Sequence, residues 1–288
     1  MASDVSKSPF AKQLVSSGTV FTIPYIDAVC DAGAVDTKER EKALQSITLY
    51  LTTQHNTTFS TLDLLKIQKS LFYCLYHTPP FLPAQRLTTH LSNTLFLCVP
   101  PPLFLPFLST FWTTFNREYP NLDRHRLAKY LLFARQMFRA SIAYLAKEGW
   151  KAHDEAVGVD KWVELMEKSP LSTGREEDVD EGEEENVDAE TRVKTPDGVR
   201  YHVLDVYVDE MTGVSESDDG EGMPVERLLE PIRRLEKRGW SKVLRKKAKE
   251  ILEDERLKKL RRGEDDEKGG DGEADGGDDD DGWEGIED

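Results

Sequence analysis

From position 37 to 168 the apolar residues recur at intervals of three and four, the spacing of helices that each bury one face. Thr37 reads as the N-cap of a first helix to about Leu51, with Ala43, Leu44, Ile47 and Leu51 on one side. Ser60-Thr61-Leu62-Asp63 reads as a capping box, Asp63 replacing the usual Glu, and opens a helix to about His77. Leu64, Leu65, Leu71, Phe72 and Leu75 cover a broad arc of that helix, so neighbours are expected on two sides. Pro79, Pro80 and Pro83 stop it and start the next, about 84–98. The prolines at 100–102 end that one. A helix of about 103–118 follows, its core face carrying Phe104, Phe107, Leu108, Phe111, Trp112 and Phe115.

Asp123 is placed to cap the longest helix, about 124–148. Its Leu127, Leu131, Ala134, Phe138, Ile142 and Leu145 fall within about 80° of one another at 100° per residue. Leu132 and Phe133 lie on the other side, which predicts a helix sandwiched between neighbours, and Gly149 supplies the stop. A shorter helix of about 160–168 contains Trp162, Val163 and Met166. Thr195-Pro196-Asp197-Gly198 is a turn signal ahead of a helix of about 199–212, with Val203, Leu204, Val206, Tyr207, Val208 and Met211. Those β-branched residues also allow a strand, but no alternation of polarity supports one. Two further helices, about 224–238 and 241–262, are separated by Gly239. The class is all-α. Helices joined by short Pro- or Gly-marked turns point to HEAT-like stacked helical hairpins, an α-solenoid, although no exact repeat is present. A compact irregular bundle is the competing arrangement.

Charge divides the chain further. The formal net charge is −16, but residues 264–288 hold 14 acids and one Lys, and residues 176–190 hold 10 acids and no base. Residues 231–262 carry 14 bases against 5 acids. The expected organisation is an N-terminal segment 1–36, a helical body 37–168, an acidic disordered loop 169–195, the body's remaining helices 196–238, a basic helix 239–263 and an acidic disordered tail 264–288. An overall acidic chain therefore does not exclude nucleic acid. No stretch approaches 18 uncharged apolar residues, and the most apolar, Leu95 to Phe107, is cut by four prolines, so no membrane span is expected. The first residues lack the apolar core of a secretory signal. Cys30, Cys74 and Cys98 form no CxxC pair and are expected to be reduced and buried.

The segments LDLLKIQKSLFYCLYHTP (62–79), FLSTFWTTFNREYPNLDRHRLAKYLLFARQMFRASIAYL (107–145) and TPDGVRYHVLDVYVDEM (195–211) resemble the ribosomal RNA-processing protein 1 family. The resemblance spans about 37–238 and runs in the family's order. It implies a nucleolar, non-enzymatic factor acting in early large-subunit (60S) precursor particles, with pre-60S assembly factors, ribosomal proteins and pre-rRNA as partners. Residues 19–35 depart from the family pattern as an atypical insertion, and the short acidic tail departs from any extended RNA-binding tail.

The residue inventory offers little for catalysis. The six histidines show no metal-ligand spacing, and no GxSxG, GxxxxGK or GxGxxG run occurs. Asp63, Asp123 and Asp197 sit where helix caps or turns explain them, so no catalytic residue, metal, cofactor or small-molecule substrate is expected. Binding has more to work with. Arg117, Arg124, Arg126, Lys129, Arg135 and Arg139 gather along or beside the long helix, as a solvated face or as a rim for rRNA phosphates or an acidic partner. The stronger electrostatic candidate is 231–262, where Leu244, Ala248, Ile251 and Leu252 form an apolar stripe and Leu257 and Leu260 fall off it. Arg245, Lys246, Lys247, Lys249, Lys258, Lys259, Arg261 and Arg262 cluster around it as a phosphate-binding helix, an import signal, both, or a solvated face. The acidic tail is expected to provide solubility and to mask that charge. A general helical adaptor for proteins, with a basic import helix and no direct RNA contact, remains the alternative function.

Overall fold

A computed structural model describes residues 37–53, 59–79, 81–154, 156–174, 193–217 and 221–268. The insertion at 19–35, most of the acidic loop and the tail beyond 268 lie outside them. All regular structure within them is helical, as the spacing predicts. The helices are α1 (Thr37–Thr53), α2 (Thr61–His77), α3 (Leu82–Thr89), α4 (Pro101–Glu118), α5 (Arg124–Lys147) and α6 (Val159–Lys168). After them come α7 (Asp197–Ser215), α8 (Val225–Leu228), α9 (Glu230–Arg238), α10 (Lys242–Leu252) and α11 (Glu255–Lys268).

Local chemistry sets these boundaries. Ser60 Oγ accepts from the Asp63 N–H at 3.1 Å and donates to the Asp63 carboxylate at 2.6 Å, closing the expected capping box. Asp123 accepts from the N–H groups of His125 and Arg126 at 2.9 and 3.1 Å and starts α5. α4 begins on Pro101 and Pro102 instead of after them, because first-turn positions have no helical partner for an N–H in any case. α3 continues through a widened π turn at His90–Leu95 and a 3-10 turn at Phe96–Cys98, so the rod foreseen over 84–98 exists with a distorted middle. α7 is a helix despite its valines. It is buried over more than half of its circumference, and tertiary packing overrides a weak local preference.

The helices pack in two rows. α1 lies on the π turn of α3, α3 on α5, α5 on α7, and α7 on both α10 and α11. Beside them α2 packs on α4, α4 on α6, and α6 on α9. The shared core is aromatic: Phe104, Phe107, Trp112 and Phe115 of α4 meet Tyr130, Phe138 and Tyr144 of α5, Trp162 of α6 and Tyr207 of α7, all fully buried. Phe104 stacks on Tyr144 and Phe72 on Tyr130, with ring centroids 4.2 and 4.3 Å apart. Each buried tyrosine hydroxyl donates to a backbone carbonyl of another segment: Tyr130 to Phe72 at 2.8 Å, Tyr144 to Val99 at 2.7 Å and Tyr207 to Leu228 at 2.5 Å. Any other register would leave these polar groups buried and unsatisfied.

Three expectations change. Cys74 is buried as foreseen, but Cys98 is exposed at the end of the 3-10 turn. The flanks of the acidic loop are packed: Leu171, Thr173 and Thr195 are buried, since the buried Asn116 needs Ser169 and Thr195 as partners at 2.8 and 3.2 Å. Arg200, also buried, donates to the Ser172 carbonyl at 2.9 Å. Lastly, the helix foreseen over 241–262 is two helices. Asp254 accepts from the Arg256 N–H at 2.9 Å and caps a new start, and the change of phase turns Leu257 from the exposed side into the core, where it is 0% exposed. Leu257→Ala is therefore expected to lower stability by about 2–4 kcal/mol in chemical denaturation. A loss no larger than that of an exposed leucine would refute the two-helix arrangement.

Candidate nucleic-acid interface

The basic residues sort into two populations according to what α7 offers them. The second half of α7 carries Asp205 and Asp209 one turn apart, with Glu210 buried beside them. Lys247 of α10 pairs with Asp205, and Arg256 of α11 binds Asp209 at 2.6 Å. From α5, Arg135 pairs with Glu210, and Arg139 approaches the same carboxylate at 3.6 Å. Arg261 and Arg233 both reach Glu226, the former at 2.6 Å, and Arg234 binds Glu167 at 2.6 Å. Arg245 donates to the Gly239 carbonyl at 2.6 Å and closes the turn between α9 and α10. These side chains fasten the basic helices to the body. A buried carboxylate such as Glu210 is tolerated only with that cationic company.

The second population faces water. Leu244 and Ala248 lay α10 against the body, so Lys242, Lys246 and Lys249, within about 60° of one another, point outward. On α11, Lys258 and Lys259 are exposed, and Lys237 and Arg238 are exposed at the end of α9. Lys246–Glu250 at 3.4 Å and Lys249–Glu253 at 3.7 Å are solvent-exposed pairs of the kind that salt readily screens. Lys242, Lys258, Lys259, Lys237 and Arg238 have no ion-pair partner among the described residues. The sorting is by residue type. Among the described side chains of α9, α10 and α11, arginines hold the frame, Arg238 apart, and lysines, Lys247 apart, face solvent.

The rim foreseen along α5 does not form as a single patch. Lys129 is a correction: it is buried, and its ammonium donates to the carbonyls of Leu75, Tyr76 and Thr78 at 2.6, 2.9 and 2.8 Å. Those carbonyls end α2, so Lys129 is the C-terminal cap of another helix and offers nothing to a phosphate. Burial, reinforced by Arg126 nearby, pulls its pKa down to about 8, which still leaves it charged at neutral pH. Arg126 is half-buried, pairs with Asp123 and lies 4.1 Å above the Tyr76 ring. Arg117 is half-buried in the last turn of α4, and Arg124 is exposed. Arg139 stands 13 residues beyond Arg126 on the same helix, about 20 Å away along its axis.

Of the residues singled out from sequence, Arg124, Lys246, Lys249, Lys258 and Lys259 remain on an accessible face. Lys247, Arg245 and Arg261 are committed internally, and the Arg262 side chain lies outside the described residues. Sequence reasoning missed Lys237, Arg238 and Lys242, although positions 237–249 contain seven bases and no acid. It also missed the acids of α7 that neutralise the inward bases, a long-range pairing with no local signature. Two histidines prove structural: His202 Nε2 donates to the Leu131 carbonyl at 2.8 Å, and His90 Nε2 lies 3.4 Å from Thr48 Oγ1. Among the described residues no group of three or more His, Cys, Asp or Glu side chains could hold a metal ion, and no described helix is long and apolar enough to cross a membrane.

Comparison with known proteins adds the family. The mouse ribosomal RNA processing protein 1 homolog B is 30% identical over 178 residues, which cover 61% of this chain and 22% of that protein. The human homolog B is 29% identical over the same length, covering 21% of it, and the human homolog A 24% identical, covering 34%. The chain thus spans about a fifth to a third of these relatives. The family model described as nucleolar protein Nop52 matches residues 33–287, extending the likeness through the basic helices and into the acidic tail, and leaving out nearly all of the N-terminal segment. With its capped helices, aromatic core and basic outer edge in that frame, the chain belongs to the Nop52 nucleolar protein family, that of the ribosomal RNA processing protein 1 homologues.

Proposed function

We propose that this protein is a non-enzymatic nucleolar factor of ribosome biogenesis, a HEAT-like helical scaffold in large-subunit (60S) precursor particles that supports pre-rRNA processing. Membership of a family whose relatives are named for rRNA processing supports the process. The two rows of helices, in which α1 to α5 each pack on the next but one, support a stacked-hairpin scaffold. The observation that carries the reading is the sorting of cations: the outward lysines of α10 and α11 form an edge suited to phosphate, held on a rigid body. Such an edge binds RNA backbone without a base code, so specificity in the particle would come from protein partners, pre-60S assembly factors and ribosomal proteins. Purification of the tagged chain from nucleoli, with sequencing of the RNA that follows it, is expected to recover large-subunit precursor species. Recovery of small-subunit precursors alone would overturn the assignment.

One observation favours a second reading, a protein adaptor without RNA contact: Lys247, Arg256 and Arg261 are already neutralised inside the molecule. A salt titration of RNA binding separates the two, since only a phosphate-binding edge gives a steep dependence on salt.

A further inference from the structure

Trp240 stands in the turn between α9 and α10 with half of its surface, 52%, open to solvent. Large aromatic side chains usually bury their area or find partners, so an exposed indole amid charged residues needs a physical account. The turn is not loose. The Trp240 N–H donates to the Thr173 carbonyl at 3.0 Å, and the preceding Gly239 N–H donates to the Leu235 carbonyl at 2.8 Å. Arg245 holds the Gly239 carbonyl from the other side at 2.6 Å, and Ser241 Oγ accepts from the Leu244 N–H at 3.1 Å, starting α10. Gly174, at φ +77°, lies under the indole so closely that a Cβ there would come within 2.7 Å of Trp240 Cδ1. The ring therefore rests on backbone on one side and meets water on the other. Its orientation is set before anything binds.

The stretch of chain that carries it is cationic, while the acidic stretch 176–190 begins two residues after Gly174. Lys237, Arg238 and Lys242 are exposed on either side of Trp240 in the chain, and no acidic residue occurs between positions 237 and 249. Val243, 66% exposed, adds apolar surface next to Lys242. A pre-oriented indole face flanked by solvent-facing cations is what an unpaired base on a phosphate backbone requires: stacking for the base, charge for the phosphates on either side. A duplex cannot use it, because its bases are already stacked on one another.

We infer that Trp240 is a stacking platform for an unpaired base of single-stranded RNA, with Lys237, Arg238 and Lys242 holding the flanking phosphates. This rests on the proposed RNA contact of the basic edge and adds to it a preference for single strands. The test measures binding of the full chain to a labelled single strand of about 16 nucleotides, to the same strand with abasic sites, and to a duplex of equal charge. Trp240→Ala is expected to weaken single-strand binding about tenfold, while duplex binding and the salt slope stay as they are. Trp240→Phe should restore most of the loss, and Trp240→Ala should make no difference on the abasic strand. Circular dichroism melting of both variants confirms that the turn has not unfolded.

Equal losses on single strand and duplex, or on base-bearing and abasic strands, would overturn the platform while leaving the lysine edge standing. Unchanged RNA binding by Trp240→Ala, with loss of a co-purifying protein, would reassign the indole to a protein interface. An absence of RNA binding by the full chain at low salt would overturn both the platform and the edge.

Discussion

Lys129→Met is expected to lower the stability of the fold by about 3 kcal/mol, a fall of roughly 6–12 °C in melting temperature for a body of this size. Methionine matches the length of the side chain but donates nothing, so the carbonyls of Leu75, Tyr76 and Thr78 lose the donor that ends α2. A buried carbonyl without a donor loses about 1–3 kcal/mol, and relief from holding a buried charge offsets part of three such losses. The pH dependence has a definite sign. The folded pKa of about 8 is below the ordinary lysine value, so between about pH 8 and 10.5 the unfolded chain holds more protons than the folded one. The stability of the wild type relative to the methionine variant should therefore rise with pH across that window. A melting difference under about 1 kcal/mol would show that water serves these carbonyls as well as the ammonium does. RNA affinity of the folded variant should be unchanged, which separates this lysine from those of the outer edge.

Simultaneous replacement of Lys242, Lys246, Lys249, Lys258 and Lys259 by glutamine is expected to weaken RNA binding about a hundredfold or more at low salt. Up to five phosphate contacts are removed, so the plot of log affinity against log salt should flatten by as much as about 3.5 on a single strand. The fold should hardly respond, because the only carboxylates these side chains meet among the described residues, Glu250 and Glu253, are themselves exposed. The complementary set behaves in the opposite way. Neutralising Lys247, Arg256 and Arg261 removes the ties of α10 and α11 to Asp205, Asp209 and Glu226 and should loosen the two helices from the body, with little change in salt slope for the molecules that stay folded. An unchanged slope in the five-lysine variant would remove the electrostatic account of the edge.

What could be read from the sequence, and what could not, follows from the range of each interaction. Ser60, Asp63 and Asp123 act on N–H groups two or three residues away, so the starts of α2 and α5 were legible as local chemistry. The aromatic face of α4 was legible for the same reason, since periodicity alone sets which residues share a side. The phase of the basic segment was not, because extrapolating one helix through Asp254 carried the count past a cap and put Leu257 on the wrong side. Lys129 was misplaced differently: its own helix points it outward, and its burial comes from the end of α2, more than 50 residues earlier in the chain. The neutralising partners Asp205 and Asp209 sit 42 and 47 residues from Lys247 and Arg256. The site residues that did survive, Arg124, Lys246, Lys249, Lys258 and Lys259, are those whose own helix decides their exposure.

The separation of arginine from lysine limits what the outer edge can discriminate. Guanidinium groups, whose planar fork can grip the two acceptors of a guanine edge, are mostly turned inward on carboxylates, while the ammonium groups left outside act as point charges on flexible stems. On the proposed RNA contact, a ribbon of such charges would grip any polyanion with similar strength and slide along it easily, so this edge would serve as a handle, and the choice of where to take hold would fall to neighbours that fix the body in place.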